Sequence, residues 1–279
     1  MDEETTPSNL IGQVAIVTGA GRGLGRVYAQ ALSRAGAALA ITARTDDQLA
    51  ETAAMIKGAG GRIVAMPADV ADPPAVERFV AMVEQQLGPV DLLVNNAGTV
   101  GPLGPMATID LEDWWRTMEV NLRGPLLCSR AVLPTMLRRR RGRIINVSSG
   151  AALAPWPLVS AYAVSKAALQ RLTENLAAET AEQGVAVFAI HPGIVRTAMT
   201  EGIAANVIVP QVAQSFQRSF AEGRDTPPER SAQLIVALAS GQADALSGHY
   251  IAAQDDLSAL IGQAEEIRRE QRYTLRGRS

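Results

Sequence analysis

The sequence predicts an α/β fold in which a doubly wound, mostly parallel sheet of about seven strands has helices on both faces. Short β-branched or apolar runs alternate with longer helical patterns from residue 13 to about residue 190. This alternation is typical of βαβ units, which build a parallel sheet. No Pro/Gly/Ser-rich linker, low-complexity tract or internal repeat divides the 279 residues. We therefore expect a single domain over residues 1–279.

The predicted strands are apolar almost throughout, as expected for strands buried on both faces of a parallel sheet. They cover residues 14–18, 37–42, 62–66, 90–95, 142–148 and 185–190, with a weaker seventh at 249–253. Asp72, Asp110 and Thr226 are predicted N-caps, because their side chains accept hydrogen bonds from free backbone N–H groups. The glycine-containing pairs at 60–61 and 88–89 are predicted to end two other helices.

Three segments fall outside the alternating pattern. Residues 1–10 are predicted to form a flexible arm. Residues 198–225 are predicted to form a substrate lid, although ordinary helix packing explains their apolar residues equally well. Residues 255–279 are predicted to form a helical tail that packs on another surface, because apolar residues recur there at helical spacing. These residues are Leu257, Leu260, Ile261, Ala264 and Ile267.

A run of arginines covers residues 138–141 and 143, where a helix is expected to end before a strand. We interpret the run as compensation of the C-terminal helix dipole on a solvated face. A docking site for an acidic partner is the alternative.

The composition excludes several classes of function. A net charge of -2 gives no global field that attracts nucleic acid or an anionic membrane. One cysteine, Cys128, cannot form an intramolecular disulfide, and two histidines are too few for a Cys/His metal cluster. The first ten residues resemble no secretory signal. We therefore expect a cytoplasmic protein that binds a small molecule and neither nucleic acid nor a membrane.

The first predicted strand leads directly into a glycine-rich turn, which spans Thr18 to Gly25 and precedes a helical pattern. Glycine permits positive φ and close approach of a pyrophosphate, whose charge is bound by N–H groups at the start of the helix. This context predicts a dinucleotide site in a Rossmann-type fold. The spacing G-x-x-x-G-x-G differs from the usual G-x-G-x-x-G, and a tight turn without a ligand is the alternative.

The end of the second strand indicates which dinucleotide is bound. Enzymes that bind NAD place an acidic residue there for the ribose 2′-hydroxyl, whereas arginine accommodates a 2′-phosphate. Here Ala43 offers no acceptor, and Arg44 can converge with Arg22 of the glycine turn on one phosphate. NADP(H) is therefore favoured over NAD(H). The alternative is that both arginines are solvated surface residues.

Tyr162 and Lys166 lie four residues apart in a predicted helix and therefore share one face. A phenol has a pKa near 10, so acid-base work at neutral pH requires a nearby cation that favours the phenolate. Lowering that pKa by about 3 requires roughly 4 kcal/mol, which Lys166 and an oxidised nicotinamide ring can supply. Two serines at 148–149 and the segment 96–98 follow other strands at the carboxyl edge of the sheet, where such folds bind ligands.

Together these residues resemble the short-chain dehydrogenase/reductase family, and the likeness covers residues 13 to 200. The resemblance implies a catalytic tetrad. Asn121 would hold a relay water and the helix that carries it, and Ser149 would polarise the carbonyl. Tyr162 would donate the proton, while Lys166 would bind the nicotinamide ribose and tune Tyr162. The family's serine lies thirteen residues before its tyrosine, which selects Ser149 over Ser148.

The resemblance also implies the contacts of the cofactor. Phosphate and ribose would contact Gly19, Arg22, Gly23, Leu24 and Gly25. The adenosine would contact Asp69, Val70, Asn96, Ala97 and Gly98. The nicotinamide carboxamide would be oriented by Pro192, Gly193, Ile194 and Thr197.

The function that the resemblance implies is hydride transfer between NADP(H) and a carbonyl or secondary alcohol. It also implies a homodimer or homotetramer. Many family members finish with a short strand and a turn at a tetramer contact, whereas this sequence departs from the family after Gly248 and continues into Asp255, Asp256 and the helical tail. Two alternatives remain: a regulatory protein that binds NADPH without turnover, and a reductase of an acyl substrate linked to a carrier protein.

Overall fold

A computed structural model describes residues 9–275. In this part of the chain all the strands lie in one parallel sheet with the order β3-β2-β1-β4-β5-β6-β7. The strands are β1 (Val14–Thr18), β2 (Ala38–Thr42), β3 (Ile63–Ala65), β4 (Leu92–Asn95), β5 (Gly142–Val147), β6 (Val185–His191) and β7 (Tyr250–Ala252). The predicted doubly wound α/β sheet is therefore confirmed.

The helices fill the connections between strands, as right-handed crossovers of a parallel sheet require. They are α1 (Gly23–Arg34), α2 (Asp46–Gly58), α3 (Pro73–Gln86), α4 (Leu111–Met118), α5 (Gly124–Arg139), α6 (Ser160–Thr180), α7 (Ala198–Ala204), α8 (Pro210–Ala221), α9 (Pro228–Ser240), α10 (Leu257–Gly262) and α11 (Ala264–Glu270). A π-helical turn at Glu119–Arg123 joins α4 to α5.

Two hydrophobic clusters cover the two faces of the sheet. Because successive strand residues point to opposite faces, Ala15 and Val17 of β1 pack in one cluster with α1, α2 and α9. Val14 and Ile16 pack in the other cluster with α3, α5 and α6. The strand order reverses between β1 and β4, so a crevice opens at the carboxyl ends of these strands.

The tail packs on its own chain. Leu260, Ala264 and Ile267 are buried in the first cluster, and the helical pattern is divided at Gln263 into α10 and α11. The backbone then returns to the sheet, where the Tyr250 N–H donates to the Tyr273 carbonyl at 2.9 Å. The apolar spacing of the tail thus completes the core beside β7.

Two of the predicted helix caps differ from the structure. Asp110 accepts from the Asp113 N–H at 2.9 Å, as predicted. Asp72 precedes α3, but its side chain makes no capping bond. Thr226 is not a cap, because Pro227 stands at that position and α9 begins one residue later. The Thr226 hydroxyl instead accepts from the Gln254 side-chain amide at 2.8 Å.

The arginine run forms ion pairs within the chain. Arg139 and Arg141 pair with Asp91 at 2.7 and 3.3 Å, and the Asp91 side chain is only 4% exposed. Arg143 pairs with Asp244 at 2.6 Å. The run therefore stabilises a buried carboxylate at the amino end of β4, a role beyond dipole compensation on a solvated face.

Residues 1–8 of the predicted arm and residues 276–279 of the tail lie outside the described residues. The arm prediction is wrong at Leu10, which is buried and whose N–H donates to the Ala35 carbonyl at 2.8 Å. Between residues 9 and 275, no helix is long and apolar enough to cross a membrane. The same residues contain no group of three or more His, Cys, Asp or Glu side chains arranged to hold a metal ion.

Candidate active site

A cleft of about 440 Å³ lies at the carboxyl ends of the strands and is open to solvent. Nearly all the predicted site residues line it, including the glycine turn, both predicted arginines, Ser149, Tyr162 and Lys166. Two do not, namely Asn121 and Ile194. The cleft therefore brings together residues that are up to 178 positions apart in sequence, from Gly19 to Thr197.

The glycine turn has a shape that only glycine permits. Gly19 has φ +66°, and a Cβ there would lie 2.8 Å from the Ala97 Cα. A Cβ on Gly25 would overlap the carbonyl oxygen of Gly19. Gly23, which begins α1, has φ +54° and only the Thr197 methyl near its missing Cβ, at 3.9 Å. The backbone N–H groups at the start of α1 are thus accessible, and the cradle fits a dinucleotide pyrophosphate.

Asn96 fastens this turn to the end of β4. Its side-chain amide donates to the Thr18 carbonyl at 2.9 Å and to the Gly19 carbonyl at 3.2 Å. The Thr18 hydroxyl accepts from the backbone N–H groups of Asn96 and Ala97, each at 3.0 Å. Asn96 therefore shapes the cradle in addition to lining the cleft.

The end of the cleft beside β2, which is predicted to hold the adenosine and which we call the adenosine end, is rich in charge. Arg22 and Arg44 are exposed there, and Arg116 of α4 forms an ion pair with Asp69. Burial acts to raise the Asp69 pKa, but the Ala71 N–H, Arg116 and Arg44 together hold that pKa below its usual value. Asp69 is therefore ionised at neutral pH. Sequence reasoning missed Arg116, because only the fold brings α4 next to the segment after β3.

At the opposite end, Tyr162 lies in the first turn of α6 and Lys166 one turn later. The Lys166 ammonium lies 5.6 Å from the Tyr162 ring centroid and donates to the Val147 carbonyl at 2.8 Å. The Ser149 hydroxyl accepts from the Ala151 N–H at 3.2 Å and lies close enough to Tyr162 to act on the pKa of the phenol. Tyrosine, lysine and serine thus form one polar group where β5 ends.

In the protein without cofactor, burial is the main cause of the pKa shifts of Tyr162 and Lys166. It raises the pKa of Tyr162, an effect that the Ser149 hydrogen bond opposes only in part. It also lowers the pKa of Lys166 to about 8. The sequence predicted that Lys166 and an oxidised nicotinamide ring together lower the Tyr162 pKa. The lysine by itself does not outweigh burial, so the tuning expected for Tyr162 depends on the cofactor charge as well.

Asn121 lies behind this group and is completely buried. Its side-chain oxygen accepts from the Thr99 N–H at 2.8 Å, and its amide donates to the Thr99 carbonyl at 2.8 Å and to the Ser165 hydroxyl at 3.0 Å. The Asn121 side chain therefore connects the loop after β4 to α6 through hydrogen bonds. Any water that Asn121 holds would have to be bound through its backbone, within the π-helical turn.

The segment after β6 approaches the cleft with Pro192, Gly193 and Thr197. Gly193 has φ +84°, and a Cβ there would overlap the Thr226 hydroxyl. Ile194 was predicted to orient the nicotinamide carboxamide, but it does not line the cleft and its side chain is 36% exposed. The buried Val195 lines the cleft instead. Thr197 caps α7 by a reciprocal capping box with Thr200.

His191, the last residue of β6, also lines the cleft and was not predicted. Its ring stacks on Tyr250 of β7, with centroids 6.2 Å apart and planes inclined by 21°. Burial lowers the pKa of His191, which the charge of Asp255 opposes. The imidazole is therefore neutral at neutral pH. Its position at a predicted strand end was the available signal.

A family model described as short chain dehydrogenase matches residues 13–207. A short chain dehydrogenase from Pseudocercospora fijiensis is 38% identical over 269 residues, which are 94% of this chain and 87% of that protein. A 2,3-dihydro-2,3-dihydroxybenzoate dehydrogenase from Bacillus subtilis is 32% identical over 256 residues, which are 90% of this chain and 97% of that protein.

Solved structures show the same likeness. A Beutenbergia cavernae protein assigned as an NAD(P)-dependent gluconate 5-dehydrogenase, with NADP bound at low occupancy, has a TM-score of 0.80 and 36% identity. The match covers 88% of this chain and 97% of that one. The chain belongs to the short chain dehydrogenase family. It is accordingly an oxidoreductase with a Rossmann-type fold, of the class that uses a nicotinamide cofactor.

Proposed function

We propose that the chain transfers a hydride between NADP(H) and a carbonyl or secondary alcohol, with Tyr162 as the acid-base group. The observation that carries this proposal is the group formed by Ser149, Tyr162 and Lys166 at one end of a cleft whose other end is a glycine cradle. A phenol with a hydroxyl on one side and an ammonium 5.6 Å from its ring centroid is suited to proton transfer.

The cofactor, when bound, supplies or accepts the hydride. The pyrophosphate would be held by Gly19, Gly23, Leu24 and Gly25, and the adenosine by Asp69, Val70, Asn96, Ala97 and Gly98. Pro192, Gly193 and Thr197 would orient the nicotinamide end, and Ile194 could contribute only through its backbone or an exposed side chain. The close approach of backbone at Gly19 and Gly25 supports this assignment.

The preference for NADP(H) over NAD(H) rests on Arg22 and Arg44. Both line the adenosine end, where Ala43 offers no acceptor for a ribose 2′-hydroxyl. A relative that is 36% identical and binds NADP supports the same choice. Arg116 forms an ion pair with Asp69, so Arg22 and Arg44 are the arginines that remain available to bind a phosphate.

Each residue of the polar group has a separate role. Tyr162 gives its proton to the developing alkoxide during reduction and takes it back during oxidation. Ser149 donates to the substrate oxygen and polarises the carbonyl. Lys166 binds the nicotinamide ribose and, while protonated, favours the phenolate. Asn121 positions α6 through Ser165 and the loop through Thr99.

We further propose that residues 1–279 form one domain, with residues 198–225 as the lid over the substrate. The expected partner is a small-molecule carbonyl or alcohol, and the expected assembly a homodimer or homotetramer. The single buried cysteine fits a reducing compartment, for which we propose the cytoplasm.

The test is a screen of the purified protein for NADPH oxidation by aldehydes, ketones and quinones, with matched NADH reactions. We expect turnover of at least one carbonyl class and a tenfold or greater preference for NADPH, as one or two charge-assisted hydrogen bonds give. NADPH binding without turnover of any carbonyl or alcohol would instead indicate a regulatory protein. Equal dissociation constants for both cofactors would remove the NADP(H) assignment.

A further inference from the structure

Three aromatic rings from separate segments meet next to the cleft, where Tyr162 lines the cleft and the other two rings pack beside it. The Trp156 ring meets the Tyr162 ring edge-on, with centroids 6.0 Å apart and planes at 75°. The Phe216 ring of α8 also lies against Trp156, with centroids 5.9 Å apart and planes at 31°. We call Trp156, Tyr162 and Phe216 the aromatic cluster. It places two apolar rings beside the proposed catalytic phenol.

The backbone around Trp156 is held in an unusual conformation. Leu158, two residues later, has φ +67°, which a branched side chain rarely adopts. Its carbonyl accepts from the Gly104 N–H at 2.9 Å, and the Trp156 carbonyl accepts from the Val159 N–H at 3.2 Å. These bonds fix the turn that presents Trp156 to α6 and α8.

The aromatic cluster has a buried apolar base and a partly open surface. Val159, Ile203, Val209 and Val212 lie beneath it and are at most 6% exposed. The three rings themselves are only half-buried. Met199, which also lines the cleft, is 37% exposed. The protein therefore keeps apolar surface accessible next to the reacting group, as binding sites for apolar ligands do.

The substrate end also lacks free charge. Within the described residues, the charged side chains that line the cleft are Arg22, Arg44, Asp69 and Arg116 at the adenosine end, and Lys166 beneath Tyr162. Arg196 packs next to the aromatic cluster, where it pairs with Asp225 while its guanidinium covers the Phe220 ring at 4.3 Å. Apart from Lys166, no cationic side chain among the described residues that line the cleft lies at this end to pair with an anionic substrate.

Resting on the proposed function, we propose that the substrate is an uncharged ketone or secondary alcohol that carries an aromatic or alicyclic ring next to the reacting carbon. The ring packs against Trp156 and Phe216, while the oxygen meets Tyr162 and Ser149. Small aliphatic ketones lack a ring that makes this contact, so they should react with lower kcat/KM. Polyhydroxy keto acids should also react poorly, because their carboxylate would lose its solvation without gaining an ion pair.

The test compares kcat/KM for acetophenone, butanone and a polyhydroxy keto acid, with NADPH as the reductant. We expect the parent to prefer acetophenone over the other two. Trp156→Ala and Phe216→Ala should each lower the ratio of acetophenone to butanone about tenfold or more, because an aromatic contact is lost for one substrate only. Trp156→Phe keeps a ring and should stay within about threefold of the parent ratio.

Phe220→Ala is the matched control, because Phe220 packs on Phe216 but its other face is covered by Arg196. It should leave the ratio within about twofold. A preference for the keto acid, or an equal loss for both ketones in Trp156→Ala and Phe216→Ala, would overturn the substrate class while hydride transfer itself stands.

If the protein reduces no carbonyl, the proposed hydride transfer is wrong. The proposed ligand class is then tested separately, by calorimetric titration of acetophenone into the NADPH-bound protein. Binding that Trp156→Ala weakens would support the apolar ligand site on its own. Absence of binding would overturn it as well.

Discussion

The two ends of the cleft are built in different ways. The cofactor end is shaped by backbone: glycines without a Cβ, the carboxyl ends of β1 and β4, and the Asn96 amide that ties them together. The substrate end is shaped by side chains from three segments, Trp156 before α6, Tyr162 on α6 and Phe216 on α8. Backbone geometry depends little on residue identity beyond glycine, whereas a side-chain surface changes with every substitution.

This difference explains how one fold serves many substrates. A pyrophosphate has the same shape in every dinucleotide, so a cradle of N–H groups at a helix start suffices for it. The proposed substrate would meet residues on connections and on the helices of the proposed lid, which are free to vary without disturbing the sheet. A substitution that adds a Cβ where the cradle backbone is closely packed should therefore weaken cofactor binding, whereas substitutions of Trp156 and Phe216 should redirect specificity.

The largest effect is expected where a side chain is added to the cradle. In Gly25→Ala the new methyl would overlap the Gly19 carbonyl and force α1 away from the turn. The loss of one or two charge-assisted hydrogen bonds to phosphate, each worth about 1.5–3 kcal/mol, should weaken NADPH binding about a hundredfold or more. Calorimetric titration would measure it, with circular dichroism to verify that the variant is folded.

Gly21→Ala is the control within the same turn. Its Cβ would lie 3.1 Å from the Gln48 Cβ and 3.4 Å from the Ala43 Cβ, with no overlap like that at Gly25, and its φ is not positive. We expect NADPH binding within about threefold of the parent. Equal losses in both variants would mean that the turn tolerates no change at all, and close approach at Gly25 would not be the cause.

Substitution of Lys166, which lies between the two ends of the cleft, should measure how much free energy of unfolding is lost by burying the proposed catalytic ammonium. Burial lowers its pKa from 10.5 to about 8, so Lys166→Met should stabilise the cofactor-free protein by at most about 3 kcal/mol below pH 8. Between pH 8 and 10.5 only the unfolded chain keeps the proton, so the parent gains stability as pH rises and the difference shrinks. Urea unfolding across this range would measure the change.

Lys57→Met is the matched control, because Lys57 is exposed on α2 and the sequence contains no third lysine. It should leave the stability unchanged across the same pH range. A Lys166→Met protein that is less stable than the parent at pH 7 would show that the hydrogen bond to Val147 outweighs the cost of burial.

Much of the cofactor end could be predicted because its residues belong to short local motifs. The glycine turn, Arg44 at the end of β2 and the segment after β4 each follow a strand that apolar periodicity identifies. Tyr162 and Lys166 are one helical turn apart, so their shared face also follows from spacing. The parallel sheet then brings all these strand ends to one edge.

The remaining features depend on contacts between distant segments. Arg116 meets Asp69 across 47 positions, and His191 stacks on Tyr250 across 59. Thr226 looked like a helix cap, but its hydroxyl supports Gly193 and Gln254 instead. No local pattern encodes such pairings. The aromatic cluster could not be predicted for the same reason, although Phe216 lies within the predicted lid segment 198–225.

The smallest effect is expected at the exposed arginine after β2. Arg44→Ala should weaken NADPH binding about tenfold, because one charge-assisted contact to the 2′-phosphate is lost, and leave NADH binding within about twofold. Arg78→Ala, which removes an exposed charge from α3 outside the cleft, should change neither. An equal loss of affinity for both cofactors would mean that Arg44 interacts with Asp69 or with the pyrophosphate, and not with the 2′-phosphate.

In the proposed reaction Tyr162 supplies the proton, and its hydroxyl contributes little to binding of the cofactor. Tyr162→Phe keeps the ring that packs on Trp156 and removes only the hydroxyl. Tyr28→Phe, at a buried tyrosine bonded to Ser231 and away from the cleft, is the control for losing a phenol.

The most direct measurement is stopped-flow single turnover of NADPH with a reactive carbonyl in these two variants, with NADPH affinity determined separately. We predict that Tyr162→Phe lowers the rate by about 10²–10⁴-fold, while its NADPH dissociation constant stays within about threefold of the parent and Tyr28→Phe reacts at the parent rate. A Tyr162→Phe protein that reduces the carbonyl near the parent rate would contradict it.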